Sequence, residues 1–303
     1  MIQIQLDNVI FKLKETHDFS WISSIGTVFA VFDENDSGNI SFGVENTKGK
    51  FFIKVAGLAT MNSFRGKEET ILALKKAMNV YENIRHPNLI QLVKHYAIDD
   101  LYVAIFKWVD GDCLFDHWNF EKYKKNPELL PPAKRFRQLS LSRRIELSEK
   151  LFSFLETVSN LGYVAVDFYD GSLMYDFQND ILTICDIDLF RKKPTKNDMG
   201  VDYWGTPRLK APEEYEYGAI IDEVTNVHTL GALIFDSFFG NYTETEIQKR
   251  YREHTFSPCS ITNWELNSKC YEVAKKAVEK DREKRYSSIQ EFHKYWQNAI
   301  ATL

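Results

Sequence analysis

The chain has 303 residues, of which 44% are hydrophobic and 14% aromatic, and a formal net charge of −5. That length and apolar content can bury one large core or two modest ones, which excludes a disordered or fibrous chain. The acidic balance, with no stretch that interleaves dense basic and aromatic residues, gives no electrostatic reason to expect nucleic-acid binding. Cys113, Cys185, Cys259 and Cys270 stand at spacings unlike a zinc or CxxC pattern, so reduced thiols are expected. The sequence does not open on a basic leader with an apolar segment, and no apolar run approaches the roughly 18 residues of a membrane helix. A soluble, cytoplasmic protein is expected. No repeat or low-complexity tract is visible.

After a leader without an assigned element come TVFAVF, the polar turn DENDSGN, ISFGVEN, the turn TKGK and FFIKVAG. The pattern predicts a three-stranded antiparallel meander with Gly38 and Gly49 at its turns. Lys54 ends the third strand among Phe52, Ile53, Val55 and Ala56, a setting for an ammonium in a partly buried cleft facing an anion. Apolar residues at three- and four-residue spacing (Ile71, Leu74, Ala77, Met78, Tyr81) predict a helix from about Lys67 to Ile84. Pro87 disfavours helix at His86, and the LIQLVKHYAI and LYVAIF runs predict two further strands, followed by a polar connection at Gly111. Residues 112–141 carry EKYKKNPELLPPAKRFRQL, whose prolines break any helical pattern and whose basic residues suit a solvated insertion. A long helix is predicted from about Ser142 to Leu161, closed by Gly162.

The next stretch, YVAVDFYDGSLMYDFQNDILTICDIDLF, predicts a short strand, an acidic loop, a hairpin around a QND turn and a second acidic loop. Asp167 and Asp186 are thereby delivered to one edge of the hairpin. A proton acceptor beside a cation-binding oxygen is what phosphoryl chemistry requires.

Lys54, HPNLIQL after the helix, WVDGDCL after the fifth strand, Asp167, Asp186, WGTPRLKAPEEY and Arg285 in EKDREKRYSS occur in one order. In that order the sequence, over about residues 27–297, resembles a divergent member of the eukaryotic-type (bacterial-like) Ser/Thr protein kinase superfamily. The resemblance implies an α+β bilobal fold, with a β-rich N-lobe over residues 1–106, a hinge over 107–111 and a mainly helical C-lobe over 112–303. It implies that Lys54 clamps the phosphates of ATP, that Phe106 is the gatekeeper, and that the backbone of Lys107 and Val109 meets the adenine edge. Ser37 and Gly38 would stand in the phosphate loop, and Asp167 would accept the substrate hydroxyl proton. Asp186 and Ser172, with Asp170 or a water, would hold Mg²⁺, or Mn²⁺ in its place. Glu213 would pair with Arg285, Asn226 would hold the backbone of the catalytic loop, and the acceptor would be a protein. The physiological substrate and the oligomeric state are not specified by the sequence.

The sequence also departs from the family. Only the last phosphate-loop glycine is matched, among Asp33, Glu34 and Asp36, and Ala77 stands where the helix glutamate belongs. Ala165 and Val166 precede Asp167, so no Arg awaits a phosphorylated loop, and activity independent of phosphorylation at Thr195, Tyr203 or Thr206 is expected. Tyr169 replaces the loop's Lys, with Arg208 or Lys210 as the candidate replacement charge. Two alternatives follow from these changes: a pseudokinase that binds nucleotide or protein without turnover, and a small-molecule kinase resembling the aminoglycoside or choline kinases.

Overall fold

The computed structural model describes residues 1–33, 38–61, 63, 65–116 and 119–303. The chain divides into two compact units, one comprising Met1–Arg85 and Leu89–Asp110, the other His86–Asn88 and Gly111–Leu303.

The first unit is a sheet with one long helix. Strands β3 (Thr27–Phe32), β4 (Ile40–Asn46), β5 (Gly49–Ala56), β6 (Leu92–Ile98) and β7 (Leu101–Lys107) form an antiparallel sheet in the order β3-β4-β5-β7-β6. The leader, unassigned from sequence, is a hairpin of β1 (Ile2–Leu6) and β2 (Val9–Leu13) followed by the short helix α1 (Ser20–Ser23). Its alternation was present in the sequence: Val9, Phe11 and Leu13 are buried, and the intervening residues are exposed. Asp7, at φ 48°, makes the two-residue turn. The hairpin covers one sheet face, where Phe11, Phe19 and Phe42 meet edge to face and Ile40, Val44, Ile53, Val55, Val103 and Ile105 complete the core. Helix α2 (Lys67–Asn83) lies on the opposite face, with its Tyr81 ring 4.9 Å from that of Phe106.

In the second unit, α5 (Leu141–Asn160) is capped by Ser140 and ends at Gly162, whose φ of 76° suits the residue after a helix. It packs with α6 (Glu223–Leu233) and α9 (Ile289–Ile300), and α8 (Ser268–Ala277) packs on those two. Buried from Thr225 to Leu233, α6 approaches α8 so closely that a Cβ on Gly231 would stand 2.8 Å from that of Ala277. Residues 112–141 correct the sequence expectation of an unstructured insertion. They form β8 (Asp112–Cys113), α3 (Phe120–Lys125) and α4 (Pro132–Arg137), with Phe136 fully buried against Tyr175 and Phe238. Pro132 starts α4 rather than breaking it, because a first-turn residue needs no intrahelical N–H bond. No helix of the described residues is long and apolar enough to cross a membrane, and all four cysteines are free thiols.

Candidate active site

Short strand β9 (Tyr163–Val164) leads into the Asp167 loop, and β10 (Leu173–Asp176) pairs with β11 (Ile181–Ile184) in the register Leu173 to Ile184. Asp167 and Asp186 therefore flank the same end of one hairpin. Both hold a left-handed backbone, at φ 59° and 53°. That conformation costs a residue with a Cβ on the order of 1 kcal/mol. Asp7, Asp99 and Asp180 adopt it at hairpin turns, and His254 at the end of helix α7 (Glu244–Glu253). Neither a hairpin turn nor a helix end accounts for it at Asp167 and Asp186.

The frame around the two loops is a set of named bonds. The Cys185 N–H donates to the Ser172 carbonyl at 2.8 Å, and the Ile184 N–H to the Asn88 carbonyl at 2.6 Å. Asn88 donates from Nδ2 to the Leu182 carbonyl at 3.0 Å, so the HPN tripeptide braces the hairpin, a role that sequence reasoning missed. Asn226 holds both polar atoms of the Ala165 peptide: Ala165 N–H donates to Oδ1 at 2.8 Å, and Nδ2 donates to the Ala165 carbonyl at 2.7 Å. A neutral amide does this without a charge.

Ser172 closes the turn Asp170–Ser172, and its Oγ is buried without a hydrogen-bond partner. An orphaned buried oxygen beside the Asp186 loop is the kind of group a hard cation satisfies. Among the described residues no group of three or more His, Cys, Asp or Glu side chains is arranged to hold a metal. A cation here would combine Asp186 with neutral oxygens and ligand phosphates, a set that suits Mg²⁺.

Asp170 does not stand open toward such a cation. It is fully buried against Arg208, which also binds Asp236, and Asp236 in turn accepts from Arg250 at 2.6 Å. Two carboxylates and two guanidinium groups thus close on one another. Asp170, expected to complete the metal shell, and Arg208, expected as a candidate replacement charge, are thus paired with each other. Tyr169 folds its ring over Gly171, where an added Cβ would lie 2.3 Å from the ring, and Phe115 packs on it edge to face. Burial first, then the carboxylates of Asp167 and Asp186, push the phenol's pKa upward, so it stays neutral. Cys113, pushed up to about 12 mainly by burial, is an inert thiol.

The segment from Gly205 to Glu213 is fastened from below. Glu213 is buried in a two-pronged pair with Arg285 at 2.7 and 3.0 Å, and also accepts from the Thr225 hydroxyl at 2.9 Å. Asp167, Phe168, Gly205, Thr206, Lys210 and Glu214 line one small cavity of about 10 Å³. Lys210 is buried there, donating to the Tyr203 carbonyl at 2.5 Å. Glu214 accepts from the Ala211 N–H at 2.7 Å, and burial pushes its carboxyl up to about 8. The sequence reading passed over Glu214, because an acid beside a matched motif residue gives no sign of burial.

In the first unit, Lys54 is paired across the sheet with Ser41 and Ala104, two small residues, and shares its face with Phe52 and Phe106. Ala77, at the expected glutamate position, is 1% exposed. The Lys107 N–H is taken by the Gln91 carbonyl at 2.9 Å and the Trp108 N–H by that of Lys50 at 3.1 Å; Val109 follows, half-buried. Gly38, at φ 81°, is buried so closely that a Cβ would lie 2.5 Å from the Ser63 hydroxyl and 2.7 Å from a Thr70 methyl. Ser37 lies outside the described residues.

A sheet-rich unit with one long helix, followed by a mainly helical unit that carries two acidic loops on one hairpin, defines a bilobal protein-kinase-like fold. Comparison with known proteins agrees. The chain is 20% identical over 278 residues to the human serine/threonine-protein kinase Sgk2, covering 91% of this chain and 68% of that protein, and matches the mouse and rat forms equally. A probable serine/threonine-protein kinase of Clostridium perfringens is 21% identical over 261 residues, which is 84% of this chain and 36% of that protein. No protein-family model matches. This distant but broad similarity is consistent with a divergent member of the kinase superfamily and supports a phosphotransferase-like role at that level.

Proposed function

We propose that the protein is an ATP-dependent Ser/Thr protein kinase that transfers the γ-phosphate of Mg·ATP to a protein hydroxyl. The observation that carries this is the pair Asp167 and Asp186, both held in an unfavourable left-handed backbone at the same end of one hairpin. Asp167 accepts the proton of the acceptor hydroxyl, and Lys54 binds the nucleotide's phosphates from a strand position flanked by small residues. Asp186 and Ser172 hold Mg²⁺, which when bound neutralises phosphate charge. Phe106, Lys107 and Val109 meet the adenine. Asp170 is left out of the metal shell and given the task of fixing Arg208.

The test is incubation of the full chain with γ-labelled ATP and Mg²⁺ or Mn²⁺, with and without a generic protein acceptor. Label on protein is expected, falling at least about 100-fold in Asp167→Asn and in Asp186→Asn. Label that persists undiminished in both variants overturns the reading. A nucleotide-binding module without turnover is the second reading, supported by the neutral Tyr169 beside both carboxylates and by the closed packing of Gly38. It predicts no label but a thermal stabilisation by ATP that Lys54→Met abolishes and Asp167→Asn leaves in place. Label on an aminoglycoside or choline and not on protein identifies a small-molecule kinase.

A further inference from the structure

The cavity beside Asp167 holds a lysine and a buried acid whose placement is more specific than fold maintenance requires. Gly205, at φ 123°, has no side chain where the Lys210 stem passes: a Cβ there would lie 3.0 Å from Lys210 Cγ, 3.3 Å from Cδ and 3.7 Å from Glu214 Oε1. The Lys210 ammonium is tethered to the Tyr203 carbonyl at 2.5 Å and reaches the Val201 carbonyl at 3.4 Å, while the Tyr215 ring lies 4.4 Å beneath it. Carbonyls and a ring hold an ammonium without cancelling its charge.

We infer that Lys210 is a positioning residue that maintains a positive charge beside Asp167, and that Glu214 gates that charge by its own protonation. The inference rests on the phosphotransferase reading for its catalytic consequence, but its electrostatic core does not.

Arg208 is engaged by Asp170 and Asp236, and Tyr169 is neutral, whereas Lys210 lines the cavity together with Asp167. The groups that act on Glu214 are Lys210, Asp167 and Glu213, and Glu214 in turn acts on the phenols of Tyr203 and Tyr215. Lys210 is pulled down by burial and held up by Glu214, Asp167 and Asp202. At neutral pH burial keeps Glu214 uncharged, and the ammonium acts with Asp167 and Asp202. As pH rises through about 8, Glu214 ionises and takes up the lysine's charge. Phosphoryl transfer depends on preorganised positive charge near the moving group, so the rate falls on that alkaline limb.

The experiment has two arms on the full-length protein, with thermal melting as a check on folding. In the first, carboxyl-carbon NMR titration follows Glu214 in the wild type, Lys210→Gln and Lys210→Arg. Loss of the cation moves the Glu214 midpoint upward from about 8, and arginine keeps it in place. A midpoint unchanged in Lys210→Gln overturns the inference, whatever the enzymatic activity. In the second, kcat for labelled phosphate transfer is followed against pH. Lys210→Gln lowers kcat roughly 10- to 100-fold with little change in the KM for ATP and moves the acid limb to higher pH, while Glu214→Gln removes the alkaline limb. A Lys210→Gln variant with the wild-type profile, or an alkaline limb that persists in Glu214→Gln, overturns it. A wild type without turnover, by contrast, refutes the phosphotransferase reading and leaves the titration to decide the Lys210–Glu214 couple.

Discussion

Among the described residues, the first unit buries only neutral polar side chains, Asn39, Ser41, Thr60, Ser63 and Thr70, whereas the second buries Arg144, Asp170, Asp176, Arg208, Lys210, Glu213, Glu214, His228, Arg250 and Arg285. The difference follows from how each backbone satisfies itself. A five-stranded ladder pairs its own N–H and C=O groups, leaving the side chains free to make an apolar core, and the ion pairs of that unit, such as Lys67 with Asp100, sit at the surface. From Asp186 to Glu216 the second unit has, besides single 3-10 turns at Gly200–Asp202 and Pro212–Tyr215, only the two-residue strands β12 (Arg191–Lys192) and β13 (Thr195–Lys196), paired with β9 and with β14 (Ile220–Ile221). Side-chain ion pairs take over the work of a ladder there. A segment that presents chemistry at fixed positions without regular structure needs directional bonds, and charged ones are the strongest available.

The sharpest way to break the contrast is at Arg285. Arg285→Ala leaves the buried Glu213 carboxylate unpaired and is expected to cost about 3–5 kcal/mol in denaturant unfolding. Burial raises the Glu213 pKa but Arg285 outweighs it, and the net shift is downward. The stability the pair contributes is therefore present above the carboxyl's ordinary range and lost as pH falls through the depressed value, so the variant's deficit shrinks in acid. Phe42→Ala, which empties a fully buried position in the sheet core, is expected to cost about 3–5 kcal/mol with no such dependence on pH. Asn226→Ala removes both bonds to the Ala165 peptide, and a loss of about 1–3 kcal/mol is expected, with faster hydrogen exchange at Ala165. The smallest effect belongs to Lys67→Ala at the surface of the first unit, within about 0.5 kcal/mol and shrinking further in high salt. A large cost at Lys67, or none at Arg285, would erase the distinction between the units.

Much of this was legible in the chain. The meander, α2 and α5 follow from periodicity, and Glu213 with Arg285 followed from motif order across some seventy positions. Residues 120–137 were misread because Pro132 looks the same to a pattern whether it starts a helix or ends one; burial of Phe136 decides. The leader's alternation was visible yet unread, since one hairpin of five-residue strands carries little signal without the face it covers.

At the candidate site the division is by range. The chain by itself determined the types of group and their order: Lys54 on a strand, Asp167 and Asp186 around a hairpin, Ser172 five residues after Asp167, a segment ending in Glu213. Those depend on local periodicity and turn chemistry, which act over a few residues. Only the tertiary structure decided which charges stay available. Arg208 and Lys210 are two residues apart and equal in formal charge, yet one is consumed by Asp170 and Asp236 while the other enters the cavity of Asp167. Coulomb interactions depend on distance in space, and burial sets their strength and the protonation of Glu214; neither quantity is a property of sequence spacing.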